Sequence, residues 1–359
     1  MTKNIFAIDL GNKSAKIIRN GGKAVSIPSR YIDTLFVDGS GRLDFGAESF
    51  NKNKSVKKYK MIHSASSYYF GEGIHSLGKD GHIEQSLAFG KQRYESQIFK
   101  DMLSFCICEL ASEFLEDIVK AELVIGFPSE DFSKENFQII EEYAKRQHSV
   151  EINEKTVNVD ITKVYAIPQS IGTYYDTILN EDLTFKNEEL SRQKVAIIDI
   201  GGLTKLFDIV TNFKMDTGER QQKDTGMWTL YNMIQEFLDV DSSIKPNIFE
   251  IENCVTAGIK SGGKEFIYSP NNYSGSKNTV NLTNDVVKCI DLYTKHTVNE
   301  IKTSFPHLSS IDCLIFTGGG SKVINKDIVS SSFNNMNILY SEGGQFSNVK
   351  GYLKHGLTQ

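Results

Sequence analysis

The sequence lacks almost everything that marks a specialised chain. It has no excess of proline, of glycine or of one charge sign, with 40% hydrophobic and 24% charged residues, a formal net charge of −5 and an isoelectric point near 5.9. Collagen, a coiled coil over the whole length and global disorder are excluded by that composition. Nothing at the level of the whole chain asks for nucleic acid or an anionic membrane. No stretch approaches the roughly 20 apolar residues of a membrane-spanning helix. Met1-Thr2-Lys3-Asn4 leads straight into a short apolar run without a signal-peptide core. The five cysteines, Cys106, Cys108, Cys254, Cys289 and Cys313, form no Cys-x-x-Cys pair and have no histidine at metal-ligand spacing. They are expected as reduced, mostly buried thiols of a soluble cytoplasmic protein. The seven histidines are scattered and suggest neither a metal site nor a paired nucleophile. Also missing are Gly-x-x-x-x-Gly-Lys-[Ser/Thr] and, after the first strand, Gly-x-Gly-x-x-Gly, which removes the P-loop and Rossmann routes to a nucleotide.

What is present is a duplication. With 359 residues the chain is too long for one ordinary core, and two domains are expected. Ile5-Phe6-Ala7-Ile8-Asp9-Leu10-Gly11-Asn12 is an apolar run that ends in an acid and a glycine turn, and the strand pattern resumes over residues 15–19. The same unit returns as Val195-Ala196-Ile197-Ile198-Asp199-Ile200-Gly201-Gly202, with Thr204 in the register of Ser14. Two matching hairpins signal a duplicated fold rather than a short-period array. Between them the pattern predicts a helix over 95–119, the strand Leu123-Val124-Ile125, and a polar helix over 133–146. Beyond the second hairpin it predicts helices over 226–237 and 284–303, the latter with Val286, Ile290, Tyr293 and Ile301 on one face, and a buried strand over 313–316. Alternating strands and helices give an α/β class. The polar stretch 179–193 is the expected boundary, which places 1–180 plus 340–359 in one domain and 181–339 in the other. The lysine-rich 51–60 and the Asn, Ser and Gly-rich 269–279 read as exposed loops. In the first of these, Lys52, Lys54, Lys57, Lys58 and Lys60 suit either a solvated loop or a filament or partner contact.

A strand that ends in Asp-x-Gly and turns back through a hydroxyl residue brings backbone amides, a hydroxyl and a carboxylate to one place. Those are the groups a phosphate and its magnesium require. The candidates are Gly11, Asn12, Lys13 and Ser14 in the first turn and Gly201, Gly202, Leu203 and Thr204 in the second. Magnesium keeps most of its waters and prefers one or two carboxylates, so Asp9 and Asp199 suit it through water. Lys16, on the return strand, is placed to reach a β- or γ-phosphate as a point charge. A third element, Thr317-Gly318-Gly319-Gly320-Ser321, follows a buried strand and opens a predicted helix. Its bare backbone suits a sugar or base, and it reads equally as an ordinary strand-to-helix turn.

The order Asp9-x-Gly11, Pro168-Gln169-Ser170, Asp199-x-Gly201-Gly202 and Gly318-Gly319-Gly320 resembles the superfamily of actin, sugar kinases and heat-shock chaperone ATPases, whose phosphate 1, connect 1, phosphate 2 and adenosine motifs run in that order. Asn348-Val349-Lys350-Gly351-Tyr352 resembles the second connecting helix. Val25-Ser26-Ile27-Pro28-Ser29 and Tyr69-Phe70-Gly71-Glu72-Gly73 resemble the amino-terminal part of plasmid-segregating, ParM-like bacterial actins. The resemblance implies an actin-like fold, two duplicated α/β domains around a nucleotide cleft that holds ATP or ADP and magnesium. It implies that Gln169 orients the water attacking the γ-phosphate, that Asp199 helps to activate that water and hold magnesium, and that Asp9 holds magnesium from the other side. Gln169 also reads as the ordinary first residue of a helix after Pro168. Asp224, in Asp224-Thr225-Gly226, suits either ribose or phosphate contact or a helix cap. The implied function is an ATPase that polymerises head to tail and moves plasmid DNA through a ParR-like DNA-binding adaptor, without gripping DNA itself. A sugar-type kinase, a chaperone-like ATPase switch and a non-hydrolysing ATP-binding scaffold are the alternatives.

Overall fold

In the computed structural model, which describes residues 3–38, 56–71, 73–77, 80–85, 90–240, 245–270 and 279–359, the chain divides into two units, Met1–Lys186 with Asn348–Gln359, and Asn187–Ser347. The first unit holds the strands β1 (Ile5–Leu10), β2 (Ser14–Arg19), β3 (Val25–Pro28), β4 (Arg30–Asp33), β5 (Val56–Met61), β6 (Tyr68–Gly71), β7 (Glu84–Gln85), β8 (Val119–Phe127), β9 (Gln147–Ile152) and β10 (Lys155–Pro168). Its helices are α1 (Thr34–Asp38), α2 (Gly90–Glu95), α3 (Gln97–Ala111), α4 (Lys134–Ala144) and α5 (Gln169–Ile178). The sheet order is β3-β2-β1-β8-β10-β9-β5-β6-β4-β7. Its centre, β1, β8 and β10, is parallel, and β1 is buried at every position. A continuous apolar strand of this kind is what a parallel sheet covered on both faces demands. Helix α3 packs on β1, β2, β9 and β10.

The second unit repeats that centre. Its strands are β11 (Lys194–Ile200), β12 (Lys205–Thr211), β13 (Lys214–Met215), β14 (Gln221–Lys223), β15 (Ile267–Tyr268), β16 (Val280–Asn281), β17 (Cys313–Thr317) and β18 (Asn337–Tyr340). The helices are α6 (Met227–Phe237), α7 (Ile248–Lys260), α8 (Thr283–Ser304) and α9 (Lys326–Ser332), and α10 (Ser347–Leu357) then carries the chain back into the first unit. An antiparallel hairpin again feeds a parallel run: β12-β11-β17-β18 matches β2-β1-β8-β10. Each unit has its own apolar core. Val286, Ile290, Tyr293 and Ile301 are all buried on α8, as their spacing requires. The five cysteines are buried free thiols. The return helix is tied down by Lys354, whose Nζ donates to Asp176 Oδ1 at 2.8 Å and to the carbonyl of Leu179 at 2.8 Å, at the far end of α5.

Two expectations need correction. The helix expected over 95–119 is α3, which starts where expected, with Ser96 accepting from the Phe99 amide as its N-cap. It stops at Ala111, well short of 119, where Ser112 turns its hydroxyl back to the Glu109 carbonyl. The lysine-rich segment is not a loop over its second half. Val56–Met61 is strand β5, paired with β6 and β9, because Tyr59 is buried against Phe70 and Phe105 while its hydroxyl donates to Glu109 Oε2 at 2.8 Å. Lys52, Lys54, Glu72 and most of 269–279 lie outside the described residues. The β9-β10 pair and helix α7, neither of them foreseen, complete the architecture. Helix α7 starts with a reciprocal capping box between Asn247 and Glu250.

Candidate functional site

In open parallel sheets, ligands collect at the carboxyl ends of the strands. Every candidate residue but Asp224 lies at or just beyond such an end, in a hairpin turn or its strands, at the start of α5 or in the turn after β17. In the first unit Asp9 lies near the end of β1, directly across from Lys16 on β2, with Lys16 Nζ 3.6 Å from Asp9 Oδ2. The carboxylate is 3% exposed. Gln169, the first residue of α5 after β10, donates from Nε2 to Asp9 Oδ1 at 2.9 Å. The expected water-orienting amide and the expected magnesium carboxylate are therefore in contact across two strands. Gln169 is also the first residue of its helix behind Pro168, which makes no side-chain cap.

The turn Gly11-Asn12-Lys13 that joins β1 to β2 is held by groups the sequence reading had not assigned. Ser29 Oγ donates to the Gly11 carbonyl, the Ser29 amide donates to the Lys13 carbonyl at 3.0 Å, and the buried Arg93 guanidinium donates to the Leu10 carbonyl. Three carbonyls of the turn are thereby committed within the unit. Asn12 Oδ1 is buried without a partner, an acceptor that asks for a donor. Ser29 was legible only as part of the Pro28-Ser29 resemblance. Arg93, inside a helix far along the chain, carried no signal.

In the second unit Asp199 is 8% exposed and pairs across the sheet with Leu206 on β12 and Thr317 on β17. The turn closes with the Gly201 amide on the Thr204 carbonyl at 2.9 Å. Helix α6 holds it: the amides of Gly226, Met227 and Trp228 donate to the carbonyls of Leu203, Gly201 and Gly202 at 3.0, 3.0 and 2.8 Å. Only glycine fits at 226, since a Cβ there would sit 2.5 Å from the Leu203 carbonyl carbon. Asp224 is exposed and does not cap α6, whose N-cap is Gly226 without a side-chain bond, so the capping alternative falls.

The glycine triplet does not open a long helix. Gly319–Lys322 is one 3-10 turn, with Ser321 Oγ donating back to the Gly318 carbonyl at 2.8 Å. Close packing requires glycine at two of its positions, Gly318 and Gly320. Gly318 has φ +79°, and a Cβ there would lie 2.3 Å from Asp199 Oδ1, so the backbone of the third motif is pressed against the carboxylate of the second. Among the described residues no group of three or more His, Cys, Asp and Glu side chains is placed to hold a metal ion. Nor is any helix among them long and apolar enough to cross a membrane.

Comparison with known proteins agrees over both units. Residues 7–172 match the family model "actin like proteins N terminal domain", and residues 194–344 match "Alp7A C-terminal domain". Among solved structures, the apo pSK41 ParM protein is similar over 100% of both chains at 21% identity and TM-score 0.74. The actin-like protein Alp7A is similar over 99% of this chain and 97% of its own at 15% identity and TM-score 0.75. A Bacillus thuringiensis ParM solved with ATP is similar over 100% and 99% at 13% identity and TM-score 0.74. A search of curated proteins finds no match.

Proposed function

We propose, for a chain that belongs to the family of actin-like proteins, that it is an ATP-hydrolysing filament former that segregates plasmid DNA through a DNA-binding adaptor of the ParR type. The observation that carries this is the Gln169–Asp9 hydrogen bond at 2.9 Å. It joins a hydrolytic-type amide to a buried carboxylate at the mouth of a phosphate-type turn, an arrangement that core packing alone does not require. Similarity to a ParM solved with ATP and to a ParM filament from Clostridium botulinum supports nucleotide binding and self-association. The net charge of −5 agrees with a filament that leaves DNA to an adaptor.

The residues suit Mg-ATP. Each turn offers oxygen donors of the kind magnesium accepts with its own waters, Asp9, Ser14 and the orphaned Asn12 Oδ1 in the first unit and Asp199 and Thr204 in the second. When bound, the ion neutralises charge on the phosphates. Lys16 supplies a fixed positive charge beside Asp9. Gln169 has its Nε2 committed to Asp9, which leaves Oε1 to accept from a water and orient it. An amide cannot take the proton, so its contribution is positioning. In the second unit Asp199, fixed against Gly318, is the carboxylate proposed for activating the attacking water.

Right-angle light scattering and electron microscopy of the purified protein with magnesium and ATP, ADP or a slowly hydrolysed analogue test the reading. Nucleotide-dependent filaments are the expected result. Steady ATP hydrolysis by a chain that stays monomeric at tens of micromolar would instead move the function to a kinase or a chaperone-like switch.

A further inference from the structure

Lys205 begins β12, immediately after Thr204 of the second turn. In the first hairpin the matching position is Ala15: Leu10 faces Ala15 as Ile200 faces Lys205. Ala15 is fully buried, so the hairpin itself is satisfied by a small apolar residue there. Lys205 is also fully buried, and its environment is specific. Its Nζ donates to Thr297 Oγ1 and to Glu300 Oε2, both on α8 and both at 2.7 Å, and lies 4.1 Å from the centroid of the Tyr293 ring. Burial pulls the ammonium below the ordinary lysine range, with Glu300 opposing the shift.

The second oxygen of Glu300 leads back to the turn. Glu300 Oε1 accepts from Thr225 Oγ1 at 2.7 Å, and the Thr225 carbonyl accepts from Tyr293 OH at 2.9 Å. Thr225 precedes Gly226, the first of three amides that bind the carbonyls of the turn. One carboxylate on α8 therefore grips both flanks of the second turn: the strand that leaves it, through Lys205, and the helix start that holds it, through Thr225. A buried ion pair is a poor way to gain stability, because apolar residues of equal volume generally do as well. Its geometry is good at fixing relative position.

We propose that Glu300, braced by Lys205, is the positioning residue of the second turn, presetting its backbone for the nucleotide phosphates through Thr225. The phosphate assignment rests on the function proposed above; the presetting of the turn does not.

The test uses Thr225→Val, which deletes the hydroxyl at constant shape, Thr225→Ser, which restores it, and the apolar double variant Lys205→Met/Glu300→Leu. Amide hydrogen exchange of the nucleotide-free protein over residues 200–206 and 224–229 is read beside the global Tm and the Kd for a fluorescent ATP analogue. The expected result is exchange faster by about tenfold at those peptides, and analogue affinity weaker by about tenfold, in Thr225→Val and in the double variant. Tm should stay near wild type, and Thr225→Ser should return to wild-type behaviour. Unchanged exchange in Thr225→Val and the double variant overturns the proposal, as does acceleration spread evenly over the second unit with a fall in Tm, which would mark plain core packing. If the wild-type protein does not bind the analogue, the nucleotide reading falls while the exchange measurement still decides the positioning role.

Discussion

The two hairpins are copies in backbone and opposites in side-chain logic. Each ends in a buried aspartate and turns through glycine to a hydroxyl. Yet the first places its lysine opposite the aspartate and the second places it one residue earlier. Along a strand one residue is a change of face, so Lys16 stands beside Asp9 while Lys205 enters the core toward Glu300. The turns are also held differently, the first by the side chains of Ser29 and Arg93, the second by the amides of α6. A duplicated backbone thus conserves the position of a turn and leaves free the means by which it is held.

The largest effect expected from breaking this comparison is on stability. Lys205→Met alone leaves Glu300 without its cation and should cost about 3–5 kcal/mol by denaturant unfolding. Lys16→Met, at a partly exposed site, should leave the unfolding midpoint nearly unchanged and weaken ATP-analogue binding instead. Equal losses of stability in the two variants would erase the distinction drawn between the lysines.

Acid should separate the units next. In the first, His148 is buried, with Nδ1 3.0 Å from Ser104 Oγ and Nε2 2.9 Å from the Ala144 carbonyl. Desolvation lowers its pKa from 6.5 to about 4. The unfolded chain therefore binds a proton that the folded chain refuses. Stability contributed by neutral His148 is present above about pH 6.5 and declines as pH falls toward 4, by at most about 3 kcal/mol. Exchange protection of α3 and β9 should fall over that window, and His148→Gln should flatten the dependence. A pH-independent signal would contradict the burial argument.

Asp199→Ala should reduce ATP turnover by roughly 10²-fold with the fold retained, as read by phosphate release and circular dichroism. Near-normal turnover removes Asp199 from the chemistry. Gln169→Ala should let ATP-bound filaments persist longer than wild type in the scattering assay. The smallest contrast lies inside the glycine triplet. Gly318→Ala combines a positive φ with a Cβ 2.3 Å from Asp199 Oδ1 and should cost about 2 kcal/mol. Gly319→Ala meets nothing within 4 Å and should be close to neutral in thermal unfolding.

The parts of the protein that were legible in advance are those whose physics is local. An Asp-x-Gly turn needs its glycine within the same few residues, so both hairpins could be read directly, as could the apolar stripe of α8 and the wholly buried strand β17. Strand β5 was misread because its lysines outnumber the one tyrosine that anchors it, and the anchoring partners Phe70, Phe105 and Glu109 are distant in sequence. The far end of the helix expected over 95–119 was misread because a serine such as Ser112 declares itself a stop only when its hydroxyl turns back to a carbonyl of the last turn.

By itself, the sequence determined the duplicated α/β class, the position of both aspartate turns and the order of the glycine motifs, since each follows from short-range periodicity and from conformations that glycine permits. Only the tertiary structure decided that Gln169 bonds to Asp9, that Ser29 and Arg93 hold the first turn, and that Lys205 answers to Glu300. Hydrogen bonds and buried charges select partners by distance in space, and separation along the chain carries no record of that distance.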